Sequence, residues 1–203
     1  MMDVTLTKNH KYVTSDGKKL DSVSDYVSIV SAQIYKDIDK DVLADSQIRG
    51  STVHKGTVTL DNEHIAEVPY EYSGYLDAYV KFLKEHDVRW FSYYTERSMR
   101  CRDEFAGTID RFGDVDGKLT IADFKTNSKI SGKNLVAYEV QLNLYRRILE
   151  AHEQLVQRLL IVHLKKDGTY ELYDIDVDDT LADMCIYIYN RLKERKKRRK
   201  SNG

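Results

Sequence analysis

Apolar side chains recur at the three- and four-residue spacing of an amphipathic helix in four segments of the chain. The first segment follows Ser22 to Asp25, which has the pattern of a helix capping box, and continues to about Asp39. We therefore predict four helices, over residues 22–39, 75–86, 133–153 and from about 178 into the C-terminal end.

Two other segments alternate apolar and polar residues on either side of an Asp-Gly pair, which is the pattern of a β-hairpin. The first lies in a β region from Trp90 to about Thr126, with its turn at Asp116 and Gly117. The second covers residues 159–177. Residues 48–60 are rich in Thr and Val, and their propensities favour a strand. Helices and strands alternate without a linker or a repeat, so we predict a single α/β domain.

The first hairpin carries two aspartates on its predicted strands. With a two-residue turn, Val115 pairs with Lys118, and Asp110 then lies opposite Asp123. Lys125 shares the face of Asp123, because side chains alternate along a strand. Like charges across a ladder destabilise it, and a divalent cation such as Mg²⁺ would compensate them. A surface hairpin with solvated charges fits the local pattern equally well.

Composition narrows the class of protein. The 203 residues include 41% hydrophobic and 10% aromatic residues, which suits a globular core. Two cysteines are too few for a disulfide scaffold or a four-thiolate metal cluster. No apolar run approaches the roughly 20 residues that cross a bilayer. We expect a cytoplasmic protein without a membrane partner.

Charge is concentrated at the C-terminal end. Residues 191–203 contain eight basic residues and one acidic residue, a net charge of +7, whereas the whole chain carries −1. The other 190 residues therefore carry −8. A basic tail on an acidic body indicates a polyanionic partner. Basic residues that complement the dipole of a helix end are the alternative.

Several short motifs occur in a recognisable order along the chain. They are Lys19-Leu-Asp-Ser22-Val-Ser24, Arg49-Gly50-Ser-Thr-Val-His54, Gly107-Thr-Ile-Asp110-Arg, Ile121-Ala-Asp123-Phe-Lys125-Thr and Gln141-Leu-Asn-Leu-Tyr145. In order and spacing they resemble the PD-(D/E)XK nuclease superfamily. The resemblance is strongest to its RecB-type exonuclease branch, which includes phage exonucleases and the mitochondrial genome maintenance exonuclease. It covers about residues 12–150, although Thr108 and Ile109 stand where the superfamily's name has proline.

The resemblance implies a restriction-endonuclease-like core, with a central mixed β-sheet flanked by helices. It places one nuclease domain over residues 1–190 and leaves residues 191–203 as a basic tail. It also implies that residues 48–60 are helical, against their propensities, and we follow the resemblance there.

A metal site for Mg²⁺ or Mn²⁺ is the second implication, because hard oxygen ligands combined with an imidazole suit these ions. The implied ligands are the side chains of His54, Glu96, Asp110 and Asp123 and the backbone carbonyl of Phe124. For Glu96, a surface salt bridge is the alternative. Some relatives bind an iron–sulfur cluster through four cysteines, and two cysteines cannot do so, so we expect no such cluster here.

The resemblance also assigns catalytic roles. Lys125 would position the attacking water and stabilise charge on the scissile phosphate. Gln141 and Tyr145, four residues apart on one helical face, would orient Lys125 or the DNA backbone. Tyr145 lies among apolar positions of its helix, so a core residue is the alternative.

These implications predict a metal-dependent deoxyribonuclease, most simply an exonuclease acting at single- or double-stranded DNA ends in recombination, repair or replication. Any unwinding would come from a helicase or recombination partner protein, in a bacterial or phage-infected cell. The alternatives are a structure-specific endonuclease, a non-catalytic nucleic-acid-binding module and a Ca²⁺-binding structural protein. The predicted DNA-binding residues are basic, namely Lys129, Lys133, Arg195, Lys196, Lys197, Arg198 and Arg199.

Overall fold

A computed structural model describes residues 4–36, 38–102 and 104–201. The described chain forms five α-helices, which are α1 (Val23–Tyr35), α2 (Lys40–Glu63), α3 (Ser73–Glu85), α4 (Gly132–Ala151) and α5 (Asp179–Ser201). It also forms ten strands, which are β1 (Val4–Leu6), β2 (Tyr12–Thr14), β3 (Lys19–Ser22), β4 (Val88–Trp90), β5 (Arg97–Cys101), β6 (Phe105–Ile109), β7 (Arg111–Val115), β8 (Lys118–Lys125), β9 (Arg158–Leu164) and β10 (Tyr170–Ile175).

The strands form two mixed sheets of five strands each, in the orders β1-β2-β3-β6-β5 and β10-β9-β8-β7-β4. Strands β3 and β6 are parallel, as are β8 and β9. The consecutive strands β6 and β7 belong to different sheets, and the chain bends between them at Asp110. The predicted α/β fold with helices around a mixed sheet is confirmed, and a second mixed sheet joins it at this bend.

Helices cover both faces of strand β8. On one face Ile121 packs in a cluster with α4, α1 and α5, and on the other Ala122 and Phe124 pack with α2 and α3. The side chains of β8 therefore have buried surroundings on either face. Asp123, in the middle of this environment, is only 2% exposed, which excludes the surface hairpin with solvated charges for this residue.

Local sequence signals explain the start of helix α1 and the turn of the first hairpin. Ser22 and Asp25 form a reciprocal capping box at the start of α1, as predicted. In the first hairpin Val115 pairs with Lys118, as predicted for a two-residue turn. Asp116 and Gly117 have φ values of 53° and 77°, which are the positive angles that a type I′ turn requires.

The strand propensity of residues 48–60 is overruled, because the whole segment lies inside α2. Val53 and Thr57 are fully buried against the neighbouring elements, so tertiary packing decides the conformation. The hydroxyl group of Thr57 donates to the carbonyl of His54 at 2.8 Å, one turn earlier. The helix implied by the resemblance is confirmed.

The basic end of the chain continues helix α5 without a break at residue 190. The helix is anchored by Lys193, which forms an ion pair with Asp21, and by Tyr189, whose ring packs edge-to-face with that of Tyr26 at a centroid distance of 5.2 Å. Residues 195–199 are exposed beyond these contacts. The last helix is confirmed, and the division into a domain and a tail remains a prediction.

Among the described residues, none of the helices combines the length and the apolar character that a membrane-spanning segment needs.

Strand β4 lies so close to β7 that we expect Gly113→Ala to destabilise the fold. A Cβ atom at Gly113 would lie 2.2 Å from the carbonyl oxygen of Arg89 and 2.7 Å from Cα of Trp90. We expect a loss of about 1–3 kcal/mol in the free energy of unfolding, measured in urea. Gly132→Ala is the control, since its Cβ meets nothing within 4 Å at the start of α4. It should be neutral or stabilise by up to about 1 kcal/mol; equal stabilities for the two variants would contradict this packing.

Candidate active site

Side chains from three parts of the chain meet beside the bend between β6 and β7. The ligand atoms of His54 on α2, Glu96 before β5 and Asp110 at the bend all lie within 4.8 Å of one another. Nδ1 of His54 is 3.4 Å from Oε1 of Glu96 and 3.4 Å from Oδ2 of Asp110. Two carboxylates and an imidazole thus converge, as expected for a metal centre of mixed oxygen and nitrogen ligands.

The backbone of Glu96 is unusual. Its φ of 47° lies in the left-handed region, which is uncommon for residues other than glycine. Its N–H group donates to the carbonyl of Asp110 at 3.1 Å, which fixes the two residues relative to each other. Strained backbone of this kind clusters at functional sites, and here it places the Glu96 carboxylate beside His54.

Strand β8 supplies the other side of the cluster through its backbone. The N–H group of Phe124 donates to Oδ2 of Asp110 at 3.1 Å. Nε2 of His54 donates to the carbonyl of Phe124 at 2.8 Å. The carbonyl that was predicted as a metal ligand therefore contacts the imidazole directly in this structure.

Asp123 lies beside the cluster of three but is not a member of it. The β7–β8 ladder ends at Arg111 and Ala122, so Asp110 stands on the bend rather than opposite Asp123 in a strand. The Asp123 side chain is only 2% exposed, and its Oδ2 atom is 2.5 Å from Nζ of Lys125. That oxygen has no hydrogen bond of good geometry to any described residue. A buried carboxylate oxygen thus retains capacity for a further ligand.

Gln141 on α4 connects three of the predicted catalytic residues. Its Oε1 atom accepts from Nζ of Lys125 at 3.1 Å. Its Nε2 atom donates to Oδ1 of Asp123 at 3.2 Å and to the hydroxyl of Tyr145 at 3.1 Å. Tyr145 is also 6% exposed within the main core cluster, so it is both a core residue and a hydrogen-bonding partner of Gln141.

Burial and mutual charge shift the pKa values of this group. Burial lowers the pKa of His54, but the negative charges of Asp110 and Glu96 outweigh it and raise the value to about 9. Burial raises the pKa of Asp123, and the charge of Asp110 adds to this effect. Burial lowers the pKa of Lys125, but the charge of Asp123 reverses the shift and leaves it raised. His54 and Lys125 are therefore both cationic near pH 7.

The raised pKa of His54 predicts how the stability of the fold depends on pH in the presence of EDTA. The pKa is about 9 in the folded protein and 6.5 ordinarily, so the folded state holds this proton more tightly. The resulting stabilisation is complete below pH 6.5 and is lost as the pH rises through 9. The free energy of unfolding, measured in urea, should therefore fall between pH 6 and pH 9.5 by more in wild type than in His54→Gln. The difference between the two proteins should be at most about 3 kcal/mol. Identical pH profiles for both proteins would contradict the shift.

A comparison with family models decides the relationship of the chain. The model that describes the PD-(D/E)XK nuclease superfamily matches residues 32–199. The chain belongs to this superfamily. Four of the five motifs that carried the resemblance supply His54, Asp110, Asp123, Lys125 and Gln141 to this site.

Solved structures similar to this superfamily member include two exonucleases. The alkaline exonuclease LHK-Exo from Laribacter hongkongensis is 13% identical, with 90% of this chain and 94% of that chain covered and a TM-score of 0.44. A phage related exonuclease from Haemophilus somnus 129PT is 12% identical, with 87% and 96% covered and a TM-score of 0.44. No curated protein matches the sequence.

The residues present fit the divalent metal that PD-(D/E)XK nucleases use. Asp110 and Glu96 offer hard oxygen atoms, and His54 offers a nitrogen in the same cluster. The Oδ2 atom of Asp123 is ion-paired with the ammonium group of Lys125, and a second positive charge would further offset the burial of this carboxylate. Three of the predicted side-chain ligands thus lie in one cluster, and the fourth lies at its edge.

The predicted DNA-binding residues lie outside this cluster. Lys129 lines a cavity of about 600 Å³ together with Arg49 and Asn127, beyond the end of β8. A second cavity, of about 740 Å³, is lined by Gly50, His54 and other residues on one side of α2, and by Glu96. Lys133 is exposed in the first turn of α4, and the five basic residues at 195–199 are exposed on α5. Only the second of these two cavities is lined by residues of the cluster, and the first lies along the N-terminal half of α2.

The sequence analysis did not predict the buried residues that contact the cluster from the protein interior. Arg111 is completely buried, and it contacts Thr57 and Asp61 on α2. The signal in the sequence was an arginine directly after Asp110 in a strand whose neighbours are apolar. A charge at such a position needs buried partners.

Proposed function

We propose that this protein is a metal-dependent deoxyribonuclease, and specifically an exonuclease. The observation that carries the proposal is the convergence of His54, Glu96 and Asp110 beside the ion pair of the buried Asp123 and the partly buried Lys125. A divalent cation bound there would lower the pKa of a coordinated water and offset charge on a phosphodiester. His54, Glu96, Asp110, Asp123 and the carbonyl of Phe124 are the groups that would hold it.

Lys125 is the residue proposed to act on the substrate directly. Its Nζ atom is held by Asp123 and Gln141, and its pKa is raised by the charge of Asp123, so the ammonium group keeps its proton. A fixed cation that needs no reorganisation would orient a water and stabilise charge on the scissile phosphate. Gln141 fixes the ammonium group, and Tyr145 fixes Gln141.

The substrate proposed is DNA with a free end, single- or double-stranded, and the proposed process is recombination, repair or replication. The resemblance of the motifs to those of phage exonucleases supports this choice and a bacterial or phage-infected cell as the setting. A partner protein would supply any unwinding.

The proposal is tested by offering labelled single-stranded DNA, duplex DNA and RNA of one sequence to the wild-type protein. Each is incubated with Mg²⁺, with Mn²⁺ or with EDTA. We expect DNA to be degraded only in the presence of a metal. Degradation of RNA alone would contradict the substrate, and intact DNA in every condition would contradict a nuclease and favour a non-catalytic binding module.

The basic end of α5 should bind the DNA backbone in a salt-sensitive manner. For each phosphate that the protein no longer neutralises, the slope of log affinity against log salt falls by about 0.7–0.9. We therefore expect weaker binding and a smaller slope when five residues are changed to glutamine, namely Arg195, Lys196, Lys197, Arg198 and Arg199. Lys81→Gln with Lys84→Gln, exposed on α3, is the control. An unchanged slope in the fivefold variant would show that this helix end does not contact DNA.

A further inference from the structure

Arg111 is a charged side chain held entirely away from water. Its side chain is 0% exposed, at the start of β7 next to the bend at Asp110. Burying a guanidinium group costs free energy unless its donors are satisfied by well-placed partners. The partners of Arg111 therefore indicate what the side chain does.

The guanidinium group donates in three directions. Nε donates to Oδ2 of Asp61 at 2.8 Å, and Nη2 donates to the hydroxyl of Thr57 at 3.1 Å. Nη1 donates to the backbone carbonyl of Asp110 at 2.8 Å. Asp61 is itself fixed, because it accepts from the hydroxyl of Tyr79. One side chain thus ties helix α2 to the bend between the two sheets.

These contacts reach every member of the metal-ligand cluster. Thr57 links Arg111 to His54, because its hydroxyl group accepts from Arg111 and donates to the carbonyl of His54 at 2.8 Å. The Asp110 carbonyl that accepts from Arg111 also accepts from the N–H group of Glu96. Nη1 of Arg111 lies 3.7 Å from the carboxylate of Glu96, and the guanidinium carbon lies 5.7 Å from the ring centroid of Phe124.

We propose that Arg111 is a positioning residue that holds His54, Glu96 and Asp110 in their metal-binding arrangement before the metal arrives. The inference rests on the proposed function, because it concerns the same site. The positive charge of Arg111 offsets part of the repulsion between the carboxylates of Glu96 and Asp110. The forked guanidinium group also fixes the backbone of Asp110, whose carbonyl in turn holds the N–H group of Glu96. Lysine would keep the charge and lose the fork, since an ammonium group cannot donate in three fixed directions.

The test is direct titration of Mn²⁺ without DNA, followed by the electron paramagnetic resonance of free Mn²⁺, for wild type and Arg111→Lys. Loss of a group that orients metal ligands typically weakens metal binding about 10–100-fold, and we expect a loss in this range. Nuclease activity of the variant should need correspondingly more Mn²⁺ and should recover towards the wild-type rate at saturating metal. Circular dichroism at the same temperature establishes that the variant is folded.

Arg146→Lys is the matched control. Arg146 is also buried, at 9% exposure, and pairs with Glu150 and Asp179, which are outside the cluster. It should lower thermal stability and leave Mn²⁺ affinity within about twofold of wild type. An equal loss of Mn²⁺ affinity in both variants would overturn the inference, because it would reflect general destabilisation.

Thr57→Val covers the case in which Arg111→Lys does not fold. It removes the hydroxyl between Arg111 and the carbonyl of His54, with little change in shape, and should also weaken Mn²⁺ binding severalfold. Wild-type affinity in whichever of the two variants folds would overturn the positioning role alone. Absence of Mn²⁺ binding by wild type would instead contradict the metal site, and the inference with it.

Discussion

Replacing Lys125 with methionine is expected to slow DNA hydrolysis about 10³-fold and to leave DNA binding intact. The ammonium group is a fixed cation beside Asp123, and methionine keeps the apolar stem while removing the charge. DNA binding should persist because the basic residues proposed to bind the backbone lie elsewhere. The measurements are the single-turnover rate in Mg²⁺ and the DNA affinity in EDTA.

Lys118→Met is the matched control for this prediction. Lys118 is exposed at the opposite end of the same strand, so its loss removes an equal charge far from the cluster. We expect its rate to stay within about twofold of wild type. A hydrolysis rate of Lys125→Met within tenfold of wild type would contradict the catalytic role proposed for Lys125. The proposed mechanism would then have a metal centre but no catalytic cation from the protein.

Asp110→Asn is expected to abolish measurable metal binding and, with it, metal-dependent hydrolysis. Asp110 contributes a carboxylate to the cluster and accepts from the N–H group of Phe124, which an asparagine oxygen can still do. The fold should therefore survive, and only the charge is lost. Because the charge of Asp110 is the main influence that raises the pKa of His54, that pKa should fall in the variant.

The measurements for Asp110→Asn are Mn²⁺ titration, hydrolysis of labelled DNA and the pH titration of the His54 ring by nuclear magnetic resonance. Asp114→Asn, on strand β7 just after the bend, is the control, since its side chain caps the hairpin turn by accepting from Gly117 at 2.9 Å. Asparagine preserves that bond, so all three readouts should stay at wild-type values. Full metal binding by Asp110→Asn would contradict the proposed ligand set.

The features that sequence predicted well are fixed by neighbours along the chain. The register of the first hairpin follows from Asp116 and Gly117, which adopt the positive φ angles of a type I′ turn. The start of α1 follows from the reciprocal hydrogen bonds of Ser22 and Asp25. Both signals act within four residues, so no knowledge of the rest of the fold was needed.

The features that sequence did not predict depend on contacts between distant segments. The propensities of residues 48–60 favour a strand, and only the family resemblance predicted the helix that they form, because α2 packs Val53 and Thr57 into the interior. The left-handed backbone of Glu96 and the buried partners of Arg111 are likewise set by packing across the bend. The bend itself divides what reads as one continuous β region into two sheets.

The most direct test of the central claim is the degradation of end-labelled linear DNA beside covalently closed circular DNA. Wild type and Asp123→Ala are compared in Mg²⁺, in Mn²⁺ and in EDTA. A metal-dependent exonuclease at this site predicts loss of the linear DNA only, in either metal but not in EDTA, and none with Asp123→Ala. Cleaved circles would show an endonuclease at the same site, whereas equal degradation by wild type and Asp123→Ala would contradict the site itself.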